Sequence, residues 1–108
     1  MPNEDILVVL STFPDRSKAQ RIAEELVVGR YAACANVASA VDSFYWWKGE
    51  VETANEVLVY FKTTAARFEA FEQKLRELHP YDLPEIVALR VAAGSPEYLR
   101  WVEENCHA

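Results

Sequence analysis

The sequence predicts one α+β domain, and three observations carry this prediction. The chain has 108 residues, which is a usual size for a single domain. Apolar residues make up 51% of the chain, which is enough for one core. Strand-like apolar runs alternate with helical stripes, and no linker, repeat or low-complexity tract separates them. We therefore expect residues 1–108 to form one domain.

A strand and a helix come first. Residues 6–10 (ILVVL) form a continuous apolar run between polar residues, which is typical of a strand covered on both faces. Residues 14–17 (PDRS) then open a helix that stops near Gly29. Its apolar residues recur at helical spacing and are Ala19, Ile22, Ala23, Leu26 and Val27.

A long β-hairpin follows. Residues 34–47 have no helical stripe, residues 50–61 end in a β-rich run, and Lys48 and Gly49 between them indicate a tight turn. Extended, residues 34–47 span about 46 Å at about 3.3 Å per residue. A compact body of this chain length is only about 34 Å across. The hairpin must therefore overhang its domain, or else bulge, shorten and fold its tip onto the domain.

Four aromatic residues lie together near the hairpin tip. They are Phe44, Tyr45, Trp46 and Trp47. An overhanging two-stranded ribbon is marginally stable in water, and its apolar tip and unpaired edges favour association. We therefore expect the four aromatic residues at a contact between subunits. A wall for a bound ligand is the alternative for the last three.

A second helix, a final strand and a short C-terminal helix complete the chain. The second helix begins after Thr64, a possible cap, and ends before Pro80. Residues 86–91 form the last strand, and Ser95 and Pro96 start the terminal helix. The inward positions of the two helices are Phe68, Phe71, Leu75 and Leu78, then Leu99 and Val102.

This order of elements is the ferredoxin-like βαββαβ pattern, here with a long β2-β3 hairpin and a short C-terminal helix. Right-handed crossovers place the first and third strands side by side in the middle of the sheet. These are also the two most apolar strands, so the pattern and the topology agree.

Composition excludes several classes of partner. Seventeen acidic against 11 basic residues give a formal charge of -6, which disfavours nucleic-acid binding. No apolar stretch approaches the roughly 20 residues that cross a bilayer, and the first residues lack a signal-peptide pattern. Two cysteines are too few for a disulfide framework. We expect a cytoplasmic protein without a membrane or nucleic-acid partner.

Five segments resemble the CutA divalent-cation tolerance family. They are residues 30–36 (RYAACAN), 45–49 (YWWKG), 62–64 (KTT), 79–86 (HPYDLPEI) and 94–101 (GSPEYLRW), in register from about residue 6 to residue 101. The resemblance implies a tight homotrimer formed through long strands, with an architecture like that of the PII signalling proteins. It also implies a role in tolerance of copper and other divalent metals.

His79 is the first candidate metal ligand. Its imidazole suits Cu(II) or Zn, and the resemblance places this segment in a cleft between subunits and associates it with copper. The alternative is a cation that caps the C-terminus of the second helix. Some family members have a Cys at the position of Ser11 and a His at that of Leu78, and this chain has neither ligand.

Cys34 is the second candidate. It matches a position that the family often fills with Cys, and thiolates bind copper and zinc, although packing of a small strand residue is the alternative. Cys106 and His107 lie in a terminal tail that we expect to be disordered and without a role.

The assignment of further residues to the cleft rests mainly on the resemblance. Lys62 can meet an anion in the cleft or pair with a carboxylate. Glu85 can place a carboxylate near His79 or pair with a base across the trimer. Tyr81 and Asp82 are expected to line the same cleft.

The leading function is therefore a trimeric cytoplasmic protein that binds divalent metal, copper above all, in intersubunit clefts. The alternative is a PII-like small-molecule sensor or signalling scaffold with its ligand in that cleft. The sequence lacks a Gly-rich phosphate loop, so no organic cofactor is indicated. Cys34 and His79 lack an evident third orienting residue, and no G-x-S-x-G or H-E-x-x-H motif occurs, so we do not expect an enzyme.

Overall fold

Seven elements follow one another in the order that the sequence predicts. The computed structural model of the chain describes residues 5–108. The elements are β1 (Ile6–Phe13), α1 (Arg16–Val28), β2 (Cys34–Trp47), β3 (Glu50–Thr64), α2 (Phe68–Leu78), β4 (Val87–Arg90) and α3 (Pro96–Glu104).

The strands form one antiparallel sheet in the order β2-β3-β1-β4. The α+β fold and the central position of β1 and β3 are thus confirmed. Val9, which is fully buried, pairs with Phe61 on one side and with Ala88 on the other. A core position of β1 is therefore held by long-range pairs on both edges.

The helices α1 and α2 cover one face of this sheet. Alternate residues of β1 and β3 point into the core, as the period of a strand requires. The predicted helical stripes supply the other half of the core, although Val27, Phe68 and Leu78 are only half-buried. The largest side chains of this core are Phe13, Phe61, Phe71, Ile22, Leu26 and Leu75.

The opposite face of the sheet carries apolar residues that remain partly accessible. Val8, Leu10, Leu58 and Tyr60 alternate with the core positions of the central strands and are half-buried. From the edge strand, Leu89 pairs with Val8 and Val87 with Leu10, and both edge residues are exposed. We call these six residues the open face.

The hairpin overhangs the domain. The structure is 48 Å long and only 26 by 23 Å across. Pairing of β1 with β3 ends at Val57, so residues 50–56 pair with β2 alone. A bulge between Val37 and Ala40 shifts the register without ending the strand. Lys48 and Gly49 both have positive φ, 52° and 85°, as a two-residue type I′ turn requires.

Some element ends differ from the prediction. β1 continues beyond residue 10 to Phe13, because buried Ser11 interrupts the apolar run without interrupting the strand. Thr64 is not the N-cap of α2: its hydroxyl accepts from the N–H of Arg67, and Arg67 is the N-cap. β4 is one residue shorter at each end than residues 86–91.

The C-terminal end contradicts the expected disordered tail. Cys106 is buried, and its Sγ lies 2.9 Å from Thr63 Oγ1 and 3.3 Å from the carbonyl oxygen of Tyr31. It packs with Ile6 and Val102 in a small second cluster. The thiol therefore anchors the chain after α3, whereas His107 is exposed. Within residues 5–108, no helix combines the length and the apolar character that a membrane span needs.

Candidate functional site

A cleft of about 680 Å³ lies between the hairpin and the loop that follows α2. The hairpin supplies one wall because β2 and β3 continue beyond the end of β1. The loop of residues 80–85 supplies the other wall. The lining residues are Thr12, Ser43, Phe44, Tyr45, Trp46, Trp47, Glu56, Pro80, Tyr81, Asp82, Leu83 and Glu85.

Tyr81 and Glu56 connect these two walls. The Tyr81 hydroxyl donates a 2.8 Å hydrogen bond to Glu56 Oε2, and Glu56 is only 7% exposed. Burial, followed by the hydrogen bond and the charge of Glu56, strongly raises the pKa of Tyr81. The phenol therefore stays protonated and acts as a donor throughout the physiological range.

Glu85 adds a second carboxylate to the cleft. Burial raises the pKa of its carboxyl group, and the negative charge of Glu56 raises it further. Within residues 5–108, neither Glu85 nor Glu56 pairs with a basic side chain. The cleft lining thus carries three acidic residues, Glu56, Asp82 and Glu85, and no basic residue.

His79 lies just behind the cleft, and both of its ring nitrogens are engaged. Nε2 is 2.9 Å from the carbonyl oxygen of Thr12, and Nδ1 accepts a 3.2 Å hydrogen bond from the N–H of Tyr81. Only an imidazole with its proton on Nε2 satisfies both contacts. The ring also stacks on Phe13 at 4.5 Å between centroids.

Burial lowers the pKa of His79, although the Thr12 hydrogen bond and the charge of Glu56 oppose the shift. The alternative interpretation, a cationic helix cap, does not describe this geometry. His79 does end α2, but through its backbone N–H, which bonds to the carbonyl oxygen of Leu75. Its ring bonds to β1 instead.

Cys34 and His79 are not in contact within the chain. Cys34 pairs with Lys62, which pairs with Val8, four residues before the Thr12 that contacts His79. Four strand residues correspond to about 13 Å. The Cys34 thiol lies 3.6 Å from the hydroxyl of Tyr98 in α3 instead. The two candidate metal ligands therefore belong to different parts of the fold.

Lys62 also lies outside the cleft lining. Its Nζ donates a 2.8 Å hydrogen bond to Asn36 Oδ1 and lies 5.6 Å from the centroid of the Tyr60 ring. The ammonium group thus contacts an amide and an aromatic ring, neither of which is the carboxylate that the simplest sequence interpretation suggests.

The two positions at which the chain departs from the family's metal pattern are both on the core side. Ser11 is fully buried, and its hydroxyl has no hydrogen-bond partner within the described residues. Leu78 packs against the main core. In residues 5–108, no three His, Cys, Asp or Glu side chains gather closely enough to hold a metal ion.

Tyr81, Asp82 and Glu85 line this cleft of the single chain together with the four aromatic residues of the hairpin, whereas the sequence analysis expects them in a cleft between subunits. Sequence reasoning missed Glu56, which is the charged group at the centre of the site. Its signal is weak: a single Glu precedes the apolar run of β3. Only the register that pairs it with Val41, and the length of the loop after α2, bring it to Tyr81.

The fold and the cleft define a ferredoxin-like α+β protein with an overhanging β2-β3 hairpin. Residues 7–105 match the family described as CutA1 divalent ion tolerance protein. The chain belongs to this family.

Related sequences and solved structures match this chain over almost its whole length. The divalent-cation tolerance protein CutA of Thermus thermophilus is 46% identical over 98 residues, which cover 91% of this chain and 95% of the relative. A structure of that Thermus protein superposes with a TM-score of 0.92 at 44% identity, covering 94% of this chain and 99% of the other. The crystal structure of CutA1 from Oryza sativa gives 0.92 at 32% identity, covering 96% and 95%.

One relative is described by its compartment. The structure from Archaeoglobus fulgidus is of a periplasmic divalent cation tolerance protein CutA, with a TM-score of 0.89, 32% identity and coverage of 93% and 97%. Members of this fold therefore include at least one described as periplasmic.

Proposed function

We propose that this protein is a cytoplasmic homotrimer that binds divalent metal, Cu(II) foremost, and thereby supports tolerance of divalent cations. Membership of the CutA1 family supports the role in divalent cation tolerance. The single observation that favours a metal ligand in this chain is the hydrogen bonding of His79. The proposed role is binding, not catalysis.

His79 has the arrangement that metal-binding histidines commonly use. Such a histidine donates the N–H of one ring nitrogen to a carbonyl or carboxylate, and its other nitrogen binds the metal. Here Nε2 donates to Thr12, and Nδ1 holds the longer contact, 3.2 Å to Tyr81. A metal at Nδ1 would replace that weaker hydrogen bond and keep the ring oriented.

A trimer would bury apolar surfaces that a single chain leaves exposed, and it would add metal ligands that a single chain lacks. The open face presents six apolar residues, and the hairpin presents four aromatic residues that are 38% to 75% exposed. A second and third copy would cover the open face and pack against the hairpin aromatics, leaving the cleft at the boundary between subunits. Association would also add ligands of a neighbouring subunit to His79, which lacks a metal-binding cluster within its own described chain.

Calorimetric titration with Cu(II) and with Zn(II) tests the metal proposal. We expect the wild type to bind Cu(II) and His79→Ala to bind it at least tenfold more weakly. His107→Ala is the matched control, because His107 is exposed and lies near the C-terminus. Identical isotherms for wild type and His79→Ala would remove His79 as a ligand. Cys34→Ser in the same series tests the second candidate ligand.

A small-molecule sensor is the second candidate function, and the cleft favours it. Its volume of about 680 Å³ falls within the range of about 300–1,000 Å³ of small-molecule sites. Tyr81 and Glu85 are its proposed ligand-contacting residues. A thermal-shift screen with metabolites tests this function, and a flat response over a broad panel would count against it.

A further inference from the structure

The lining of the cleft combines aromatic residues with acidic residues and includes no basic residue. Of its lining residues, five are aromatic, three are acidic and none is Lys, Arg or His. The aromatic residues are Phe44, Tyr45, Trp46, Trp47 and Tyr81, and the acidic residues are Glu56, Asp82 and Glu85. Tyr45 and Trp47 lie on the same face of the hairpin as Glu56, whereas Phe44 and Trp46 point to the opposite face. Aromatic faces and carboxylates both attract positive charge, whereas a phosphorylated or carboxylated ligand would be repelled.

We infer that this cleft binds an organic cation of the alkylammonium class, with a methylated ammonium as the best-fitting head group. This inference goes beyond the metal proposal. It rests on the second candidate function, a ligand in the cleft, and names the chemical class of that ligand.

The carboxylates supply the first argument. Glu56 is 7% exposed, and its one hydrogen-bond partner within residues 5–108 is the neutral phenol of Tyr81. A buried carboxylate without a counter-ion is costly, because it loses hydration without gaining an opposite charge. A cation that enters the cleft would supply that charge to both Glu56 and Glu85.

The aromatic rings supply the second argument. A cation within about 6 Å of a ring centroid is attracted to the ring face, most strongly by Trp. The Nζ atom of Lys48 already lies 5.8 Å from the centroid of the Trp47 ring. Tyr45, two residues before Trp47 in β2, points to the same side of the hairpin, and this is also the side of Glu56. The hairpin therefore already holds one ammonium group over an indole, and Tyr45 adds a second ring on the same side.

Size and hydration favour an organic cation over a metal ion at this place. A hard divalent ion needs about six to eight oxygen ligands, or near-octahedral geometry, to replace its water. The described residues contain no group of three metal ligands, and the cleft is much larger than an ion. A methylated ammonium holds its water weakly and has an apolar surface that matches the rings.

Choline and its uncharged isostere 3,3-dimethyl-1-butanol provide the test. The assembled protein is titrated with each in the presence of a chelator, and binding is followed by tryptophan fluorescence and by calorimetry. A Trp101→Phe background leaves Trp46 and Trp47 as the fluorescent reporters. We expect saturable binding of choline in the millimolar range and at least tenfold weaker binding of the isostere.

Charge variants complete the experiment. Glu85→Gln should weaken choline binding about three- to tenfold, whereas Glu24→Gln, an equal change on the exposed surface of α1, should leave it unchanged. Equal binding of choline and the isostere would overturn the inference, and so would no choline binding to the assembled protein. Chelator excludes metal from this titration, and choline is absent from the metal titration. A failure of one proposal is thus distinguishable from a failure of the other.

Discussion

The hydroxyl of Tyr81 lies 2.8 Å from Glu56 Oε2, and this hydrogen bond ties the loop after α2 to the base of the overhanging hairpin. Glu56 is the last residue of β3 before the strand gains β1 as a second partner. The contact therefore joins the two walls of the cleft at the point where the hairpin leaves the domain.

Tyr81→Phe should lower the free energy of unfolding by about 1–3 kcal/mol, because the buried Glu56 carboxylate loses its donor. Urea denaturation measures this loss. Tyr31→Phe is the control, since no hydrogen bond of the Tyr31 hydroxyl is found within the described chain. In a double-mutant cycle with Glu56→Ala, which removes the acceptor, a coupling energy near zero would contradict the assigned bond.

His79 should make the protein less stable in mild acid. Its folded-state pKa is lowered from the usual 6.5 by burial, so the unfolded chain takes up a proton first as the pH falls. The contribution is fully present above pH 6.5 and is lost progressively as the pH falls towards the lower folded-state pKa. Thermal unfolding between pH 8 and pH 5 should show a flatter profile for His79→Gln than for wild type.

The matched control for this pH series is His107→Gln, because His107 is exposed. Its profile should coincide with that of the wild type. A His79→Gln profile parallel to the wild type would show that other groups carry the acid sensitivity.

Ser11→Ala should stabilise the protein by about 1 kcal/mol. The Ser11 hydroxyl is fully buried and has no partner among residues 5–108, so its removal relieves an uncompensated desolvation cost and leaves almost no cavity. Ser39→Ala, at an exposed position of β2, should change the midpoint of unfolding by much less. A destabilised Ser11→Ala variant would indicate that the hydroxyl makes a hydrogen bond in solution.

Leu10→Lys should separate association from folding. Leu10 lies on the open face between Tyr60 and Val87, where a lysine in an isolated chain can reach water but a lysine between subunits cannot. Sedimentation at micromolar concentration should give a trimer for the wild type and smaller species for the variant. Val28→Lys, at a residue that is 74% exposed at the end of α1, should remain a trimer. A wild type that sediments as a stable monomer would refute the proposed assembly.

The order of elements could be predicted because each signal is local. The apolar steps of α1 and α2, the Lys48-Gly49 turn and the proline that starts α3 each depend on a few neighbouring residues. The overhang also followed from local information, since the length of a strand can be compared with the size of the whole chain.

The centre of the site could not be predicted, because it depends on pairs far apart in sequence. Glu56 bonds to Tyr81, which is 25 residues away in the sequence, and His79 bonds to Thr12, which is 67 residues away. The burial of Cys106 has the same cause, since its thiol contacts Thr63 and Tyr31. A sequence reveals that these groups can form hydrogen bonds, but the fold decides which partners they find.

The overhanging hairpin also restricts how its length can change during evolution. Neighbouring residues of a strand point to opposite sides, so removal of one residue from each arm would turn every side chain beyond that point to the other side. Trp46 would then point to the side that Trp47 faces now, although Tyr45 would keep Glu52 as its partner. Viable insertions and deletions in the hairpin should therefore add or remove two residues per strand. Homologous sequences with hairpins of different length can be compared to check this expectation.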